Sequence, residues 1–266
     1  MKKSTKTSII TGVIIAVVGV IVLLCALGAS GWNFKEVDDW EEDSYVATKE
    51  VTKLNIKVNA GQVIIRRGSS EAVSVKYQHN DVYKTKISEN NSGEMSITTG
   101  DKPWYKFNYW YDSAPTVEIA VGEECTPEIR LTLNAGTVKI SRSDWGKLID
   151  LKINAGTVSL GDVSVKELNV KINAGTFEAT NIDCEEFTCH LNAGSANVQR
   201  LNSIKTSVHL SAGSVRLNMV GAKKDYNISV DKSAGSCNVS NQTAIASDYD
   251  IDVSVSAGSV TINFDN

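Results

Sequence analysis

Few side chains in this 266-residue chain are equipped for chemistry, and their spacing limits what they can do. Histidine occurs at His79, His190 and His209. His190 and His209 each stand four residues before a glycine, an offset shared by Lys152 and Lys171. Lys152, Lys171, His190 and His209 thus form a secondary candidate binding stripe, with two permanent cations and two imidazoles that charge on acidification. It suits a weak anionic ligand, although a solvated strand face has the same composition. A metal site lacks a third ligand at zinc spacing. No nucleophile elbow or phosphate loop occurs. Asp150, Asp231 and Asp252 do not converge as the carboxylates of glycoside chemistry must. The expectation is no catalytic, metal or cofactor-binding residue, no cofactor, and a protein that is not an enzyme, with a glycan-processing enzyme as the alternative from a different class.

The strongest compositional anomaly is "DKPWYKFNYWYDSAP". Trp104, Tyr105, Phe107, Tyr109, Trp110 and Tyr111 are six of the 18 aromatic residues, packed into eight positions. A strand buries one face only and would leave rings exposed on the other. Alternation puts Trp104 and Trp110 on one face, and Tyr109 and Tyr111 on the opposite one. Exposed aromatic clusters mark contact sites, so these six residues are the first candidate binding surface. The same rings can instead cover an open β end.

The elements that position these residues are written in a repeat. Asn-Ala-Gly or Ser-Ala-Gly recurs with its glycine at 61, 136, 156, 175, 194, 213, 235 and 258. Apolar residues recur seven and five positions before each glycine and two and four after it, as in Leu168, Val170, Phe177 and Ala179 around Gly175. Such alternation is the strand signature. Spacings of 19 to 23 residues leave no room for the helices of βαβ units, which need roughly 30. One-sided strands must stack to bury their apolar face. The fold expected is all-β: a β-solenoid, a single-stranded β-helix with coils of about 19–23 residues, behind one N-terminal transmembrane helix.

Each Asn-Ala-Gly is then a corner. Its glycine takes positive φ, its alanine faces the interior, and Asn59, Asn134, Asn154, Asn173 and Asn192 stack as an amide ladder. Coils are expected to stack in chain order. Cys189 and Cys237 then lie two coils apart, beyond disulfide reach, and only a Cys184–Cys189 bridge stays conceivable.

The N-terminus sets the location. Lys2, Lys3 and Lys6 precede an apolar run, Ile9–Leu27, of the length that spans a bilayer. A cleaved signal peptide ending near Ala26-Leu27-Gly28 is an alternative, but its apolar core would be roughly 7–15 residues. Lipidation at Cys25 conflicts with Leu24 before it. The expected layout is a cytoplasmic tail (1–8), a signal-anchor helix (9–31) that contacts the cell membrane, an acidic spacer (32–44) and an extracellular domain (45–266). Within that domain residues 45–125 form an irregular first coil and cap, and 126–266 the regular coils. Beyond residue 31 the chain carries 24 basic and 31 acidic residues, a formal −7 that argues against nucleic acid as a partner.

The phrase "LNIKVNAGQVII", followed by serial "KINAGTV"-type repeats behind one apolar helix, resembles the candidate-adhesin β-strand-repeat domain of unknown function over roughly Val46 to Phe264. That resemblance implies a Gram-positive cell-envelope protein, in some relatives linked to envelope stress. It carries no assigned catalytic or binding residues. Many relatives write Gly-Ala-Gly at the corner. The implied role is a non-enzymatic adhesin-like module whose partner is a cell-wall component, peptide or envelope protein. The alternative is a structural spacer or assembly partner without a small ligand.

Overall fold

A computed structural model describes residues 35–36, 39–81, 83–101, 109–110, 115–245 and 247–265. Among these residues fifteen strands run in chain order: β1 (Lys35–Glu36), β2 (Glu41–Val46), β3 (Lys53–Arg67), β4 (Ser74–His79), β5 (Lys84–Glu89), β6 (Glu94–Asp101), β7 (Tyr109–Trp110), β8 (Thr116–Val121), β9 (Glu128–Ile140), β10 (Ser143–Asp144), β11 (Leu148–Met219), β12 (Tyr226–Lys232), β13 (Ser236–Cys237), β14 (Tyr249–Val255) and β15 (Ser259–Phe264). The apolar run assigned to the anchor lies outside the described residues. Among the described residues no helix is long and apolar enough to cross a membrane.

The chain divides into two compact units, residues 1–39 with 103–113, and residues 40–102 with 114–266. In the first, β1 pairs in parallel with β7, Lys35 opposite Tyr109 and Glu36 opposite Trp110.

The second unit is the solenoid. β3 lies in parallel register on β9, and β9 on the start of β11, so Gly61, Gly136 and Gly156 stack directly. Gly175, Gly194 and Gly213 continue the column within β11. Around Gly175 the buried side chains are Leu168, Val170, Ile172, then Phe177, Ala179, then Ile182, Cys184. Each group faces inward and is separated from the next by a break in alternation, which gives the coil three sides. The column three before each glycine (Val58, Leu133, Ile153, Ile172, Leu191, Leu210) is fully inward and completes the first side.

One feature of the corner differs from expectation. Ala135, Ala155, Ala174 and Ala193 point to solvent, not to the core. Alternation is broken at the corner: Ile153 is buried, Asn154 and Ala155 after it are both exposed, and the inward pattern resumes at Val158. The glycine is required twice over. Gly156 has φ 145°, and a Cβ there would run into the carbonyl oxygen of Gly136 beneath it. The amide ladder forms as expected. Asn134 donates to Asn59, Asn154 to Asn134, and Asn173 to Asn154, each at 2.7 Å, and Asn192 donates to Asn173 at 2.8 Å.

The N-terminal end is closed by the 68–127 insertion. β6 pairs with the first half of β3 and β8 with the second half, both in parallel, so together they form one further coil in two pieces. β5, β4 and β2 add antiparallel strands, leaving β2 with its Glu41, Glu42 and Asp43 at the end of the sheet order. Charged edge strands resist pairing with foreign strands. Arg67 fastens this cap. Its Nε donates to Ser143 Oγ at 2.7 Å, its Nη1 to the Gly122 carbonyl at 2.8 Å, and its guanidinium lies 4.6 Å from the centre of the buried Trp145 ring.

The C-terminal end breaks the sequence order. β14 and β15, the last strands in the chain, pair directly with the final coil of β11, Val208 opposite Val253 and Val215 opposite Val260. β12 and β13 pair with the outer side of β14 and β15. The glycine column therefore runs 213, 258, 235. Stacking in chain order fails here, and Cys189 and Cys237 stand three coils apart instead of two. The physical reason is Lys232. It stands in the inward column three before Gly235 and is exposed, a place that only a terminal coil offers.

Candidate functional site

The stripe is assembled by register. Lys57, Thr132 and Lys152 face one another across β3, β9 and β11. The 19-residue period adds Lys171, His190 and His209, and the stack continues to Ser254 and then Asp231. The two imidazoles stack with centroids 4.4 Å apart and planes 16° from parallel. Ser207 Oγ lies 3.4 Å from His209 Nδ1. Partial burial first, then the neighbouring His209 and Lys171, push the His190 pKa below its ordinary value. At the cap end an open groove of about 450 Å³ is lined by Lys57, Arg130, Thr132, Asp150 and Lys152 among others. Arg130 is a cation the repeat did not disclose, since it stands six residues before its glycine instead of four. Two cations here are partly neutralised, Lys152 by Asp150 at 3.1 Å and Arg130 by Glu128 at 3.3 Å.

The aromatic surface is placed by its flanks. β6 ends at Asp101 and β8 begins at Thr116, opposite the two sides of the Asn59-Ala60-Gly61 corner, with Val58 facing Thr99 and Gln62 facing Thr116. Tyr109 and Trp110 lie on β7, backbone-paired to Lys35–Glu36. Trp104, Tyr105, Phe107 and Tyr111 lie outside the described residues.

Among the described residues the cysteines divide into two buried and two half-buried thiols. Cys125, Cys184, Cys189 and Cys237 are free thiols, so the Cys184–Cys189 bridge is absent. Burial pushes the Cys184 thiol up to about 11 and the Cys189 thiol up to about 12. Among the described residues no three His, Cys, Asp or Glu side chains are grouped to hold a metal ion.

The stacked Asn-Ala-Gly corners agree with a match to the Toastrack DUF4097 family model over residues 51–266. The chain belongs to the Toastrack family. Among solved structures it is similar to a candidate adhesin from Bacteroides fragilis, with 9% identity over 86% of this chain and 99% of the other and a TM-score of 0.49. It is also similar to a candidate lipid-binding protein from Parabacteroides distasonis, with 15% identity over 87% and 100% of the two chains and a TM-score of 0.47. No curated protein matches the sequence.

Proposed function

We propose that this Toastrack protein is a non-enzymatic, adhesin-like binding module of the bacterial cell envelope, anchored by residues 9–31 with its solenoid outside the cytoplasmic membrane. The observation that carries the reading is the pairing of Lys35–Glu36 with Tyr109–Trp110. Lys35 is four residues past Gly31, at most about 14 Å of extended chain. An anchor ending there keeps Tyr109 and Trp110 close to the bilayer surface, where Trp and Tyr are favoured. The partner is met at that level: a cell-wall component, a peptide or another envelope protein.

The test uses full-length protein in membranes, exposed to wall fragments and antimicrobial peptides. Replacing Tyr109 and Tyr111 with Ser, or Trp104 and Trp110 with Ser, is expected to weaken at least one interaction without lowering the melting temperature. Protease added to intact protoplasts should remove the C-terminal domain and leave a membrane stub. Full protection of the domain overturns the orientation. Loss of folding in both variants, with no change in any interaction, overturns the binding role and favours a spacer.

A further inference from the structure

We propose that the stripe Lys152, Lys171, His190 and His209 binds a linear phosphate-bearing polymer laid along the coil stack, and that mild acidification tightens the binding. This site is separate from the aromatic segment and does not depend on it.

The stripe has the dimensions of a line. Neighbouring rungs are one strand spacing apart, so four rungs cover about 14 Å at about 4.8 Å each. The His190–His209 centroid distance of 4.4 Å fits that pitch. No carboxylate interrupts the column between Lys152 and His209. The flanking outward positions around the histidines, Thr188, Asn192 and Ser207, are neutral. A membrane surface would reward a basic patch wide in two directions. This stripe is one residue wide and bordered by Asp150 and Glu186, so a single strand of anions fits it better.

Phosphate suits the rungs chemically. A phosphodiester stays ionised across the histidine range and offers two free oxygens, which can accept from adjacent rungs. The two lysines carry the fixed charge, and Lys152 is shared with Asp150. Below the histidine range the imidazoles take protons from solvent and the line carries up to four cations. Two stacked imidazolium rings beside Lys171 repel one another, and a bound anion relieves that repulsion. Protonation and polymer binding therefore favour each other by linkage.

The surrounding charges leave this pair as the switch. Glu186 is held by Lys205 at 3.3 Å. Asp252 lies one coil on, opposite Ser207 and diagonal to His209. Asp231 is two coils beyond His209, with Ser254 between them.

The test uses the full chain in phosphatidylcholine nanodiscs at fixed ionic strength, with linear sodium polyphosphate as probe and orthophosphate as control. Binding is expected to be about tenfold tighter at about pH 5.5 than at about pH 7.5. In His190→Gln/His209→Gln that ratio should fall to about one, and Lys171→Gln should weaken binding by a similar factor at both pH values. A titration of the wild-type imidazole signals keeps the proposal testable should the double variant not fold: polyphosphate must raise both histidine pKa values. Persistence of the pH ratio in a folded double variant overturns the proposal, as do unmoved imidazole titrations or orthophosphate binding equal to that of polymer. Binding to phosphatidylglycerol vesicles with no response to polyphosphate also overturns it, in favour of a membrane surface.

Discussion

Asn173 donates its side-chain Nδ2 to Oδ1 of Asn154, one coil nearer the cap, at 2.7 Å, and accepts the same bond from Asn192 at 2.8 Å. Every donor in the ladder points toward the cap, and the last acceptor, Asn192, faces Ser211 Oγ at 3.5 Å. Asn173→Ala is expected to cost about 1 kcal/mol, a typical net hydrogen bond. Asn173→Asp should cost more at neutral pH, because a carboxylate has no proton to offer Asn154. Such a group has a folded pKa above its unfolded value, so the variant recovers stability as pH falls below that folded pKa. Urea unfolding of both variants at about pH 7 and about pH 3 checks this, and equal stability of wild type and Asp at neutral pH would contradict it.

Thr206 occupies a buried apolar column opposite Ile251, and its hydroxyl has no hydrogen-bond partner. Thr206→Val keeps the shape and removes the unsatisfied group. A gain of about 1 kcal/mol is expected, read as a higher denaturant midpoint at unchanged slope.

Thiol labelling should divide the cysteines by position. Cys184 and Cys189 are buried with raised pKa values and should resist iodoacetamide at about pH 8 until the protein is denatured. Cys125 and Cys237 are half-buried and should label in the native state. Peptide mass spectrometry distinguishes the four, and rapid native labelling of Cys189 would show that the column is not sealed.

Acid should act on stability through His190. Partial burial, with His209 and Lys171 nearby, holds its folded pKa below the ordinary histidine value of about 6.5, so the unfolded chain binds the proton more tightly. The stabilisation is full above that value and declines as pH falls below it. His190→Gln is expected to flatten the decline between about pH 7 and about pH 5, measured by thermal melts at constant ionic strength. An identical slope in the variant would mean that other groups govern it.

The inward columns were legible because strand alternation leaves a residue only two faces, and a glycine every 19 or 20 residues fixes the phase. Leu151 and Val170 could be placed inside and Lys152 outside from the pattern alone. The same rule, carried three residues before the glycine, also assigns Ile153 to the core, but it would put Ala155 there too. Reading alanine as inward rested on its size and overlooked the turn, which leaves Asn154 and Ala155 both outside. The order of the last two coils was harder to see, because Ile228 and Val230 match the columns as well as Ile251 and Val253 do. Lys232 was the available signal, a charge where every neighbouring coil buries an aliphatic side chain. The stripe was legible at four rungs because they share one offset, whereas Arg130 joins it only through the register of β9 on β11.

The exchanged order at the C-terminal end gives the chain a direction in time. Residues 226–237 leave the ribosome before residues 249–264, yet the earlier segment rests on the later one. The coils from β3 through β9 to β11 can zip together as they emerge, each finding its neighbour already made. The end of the stack cannot, because its outermost layer must wait for residues 249–264 to wedge beneath it. A nascent protein halted before Tyr249 would thus lack two layers instead of one, with the edge of the Thr206–Met219 coil left open. Residues 226–237 therefore join the solenoid only after residues 249–264 have done so.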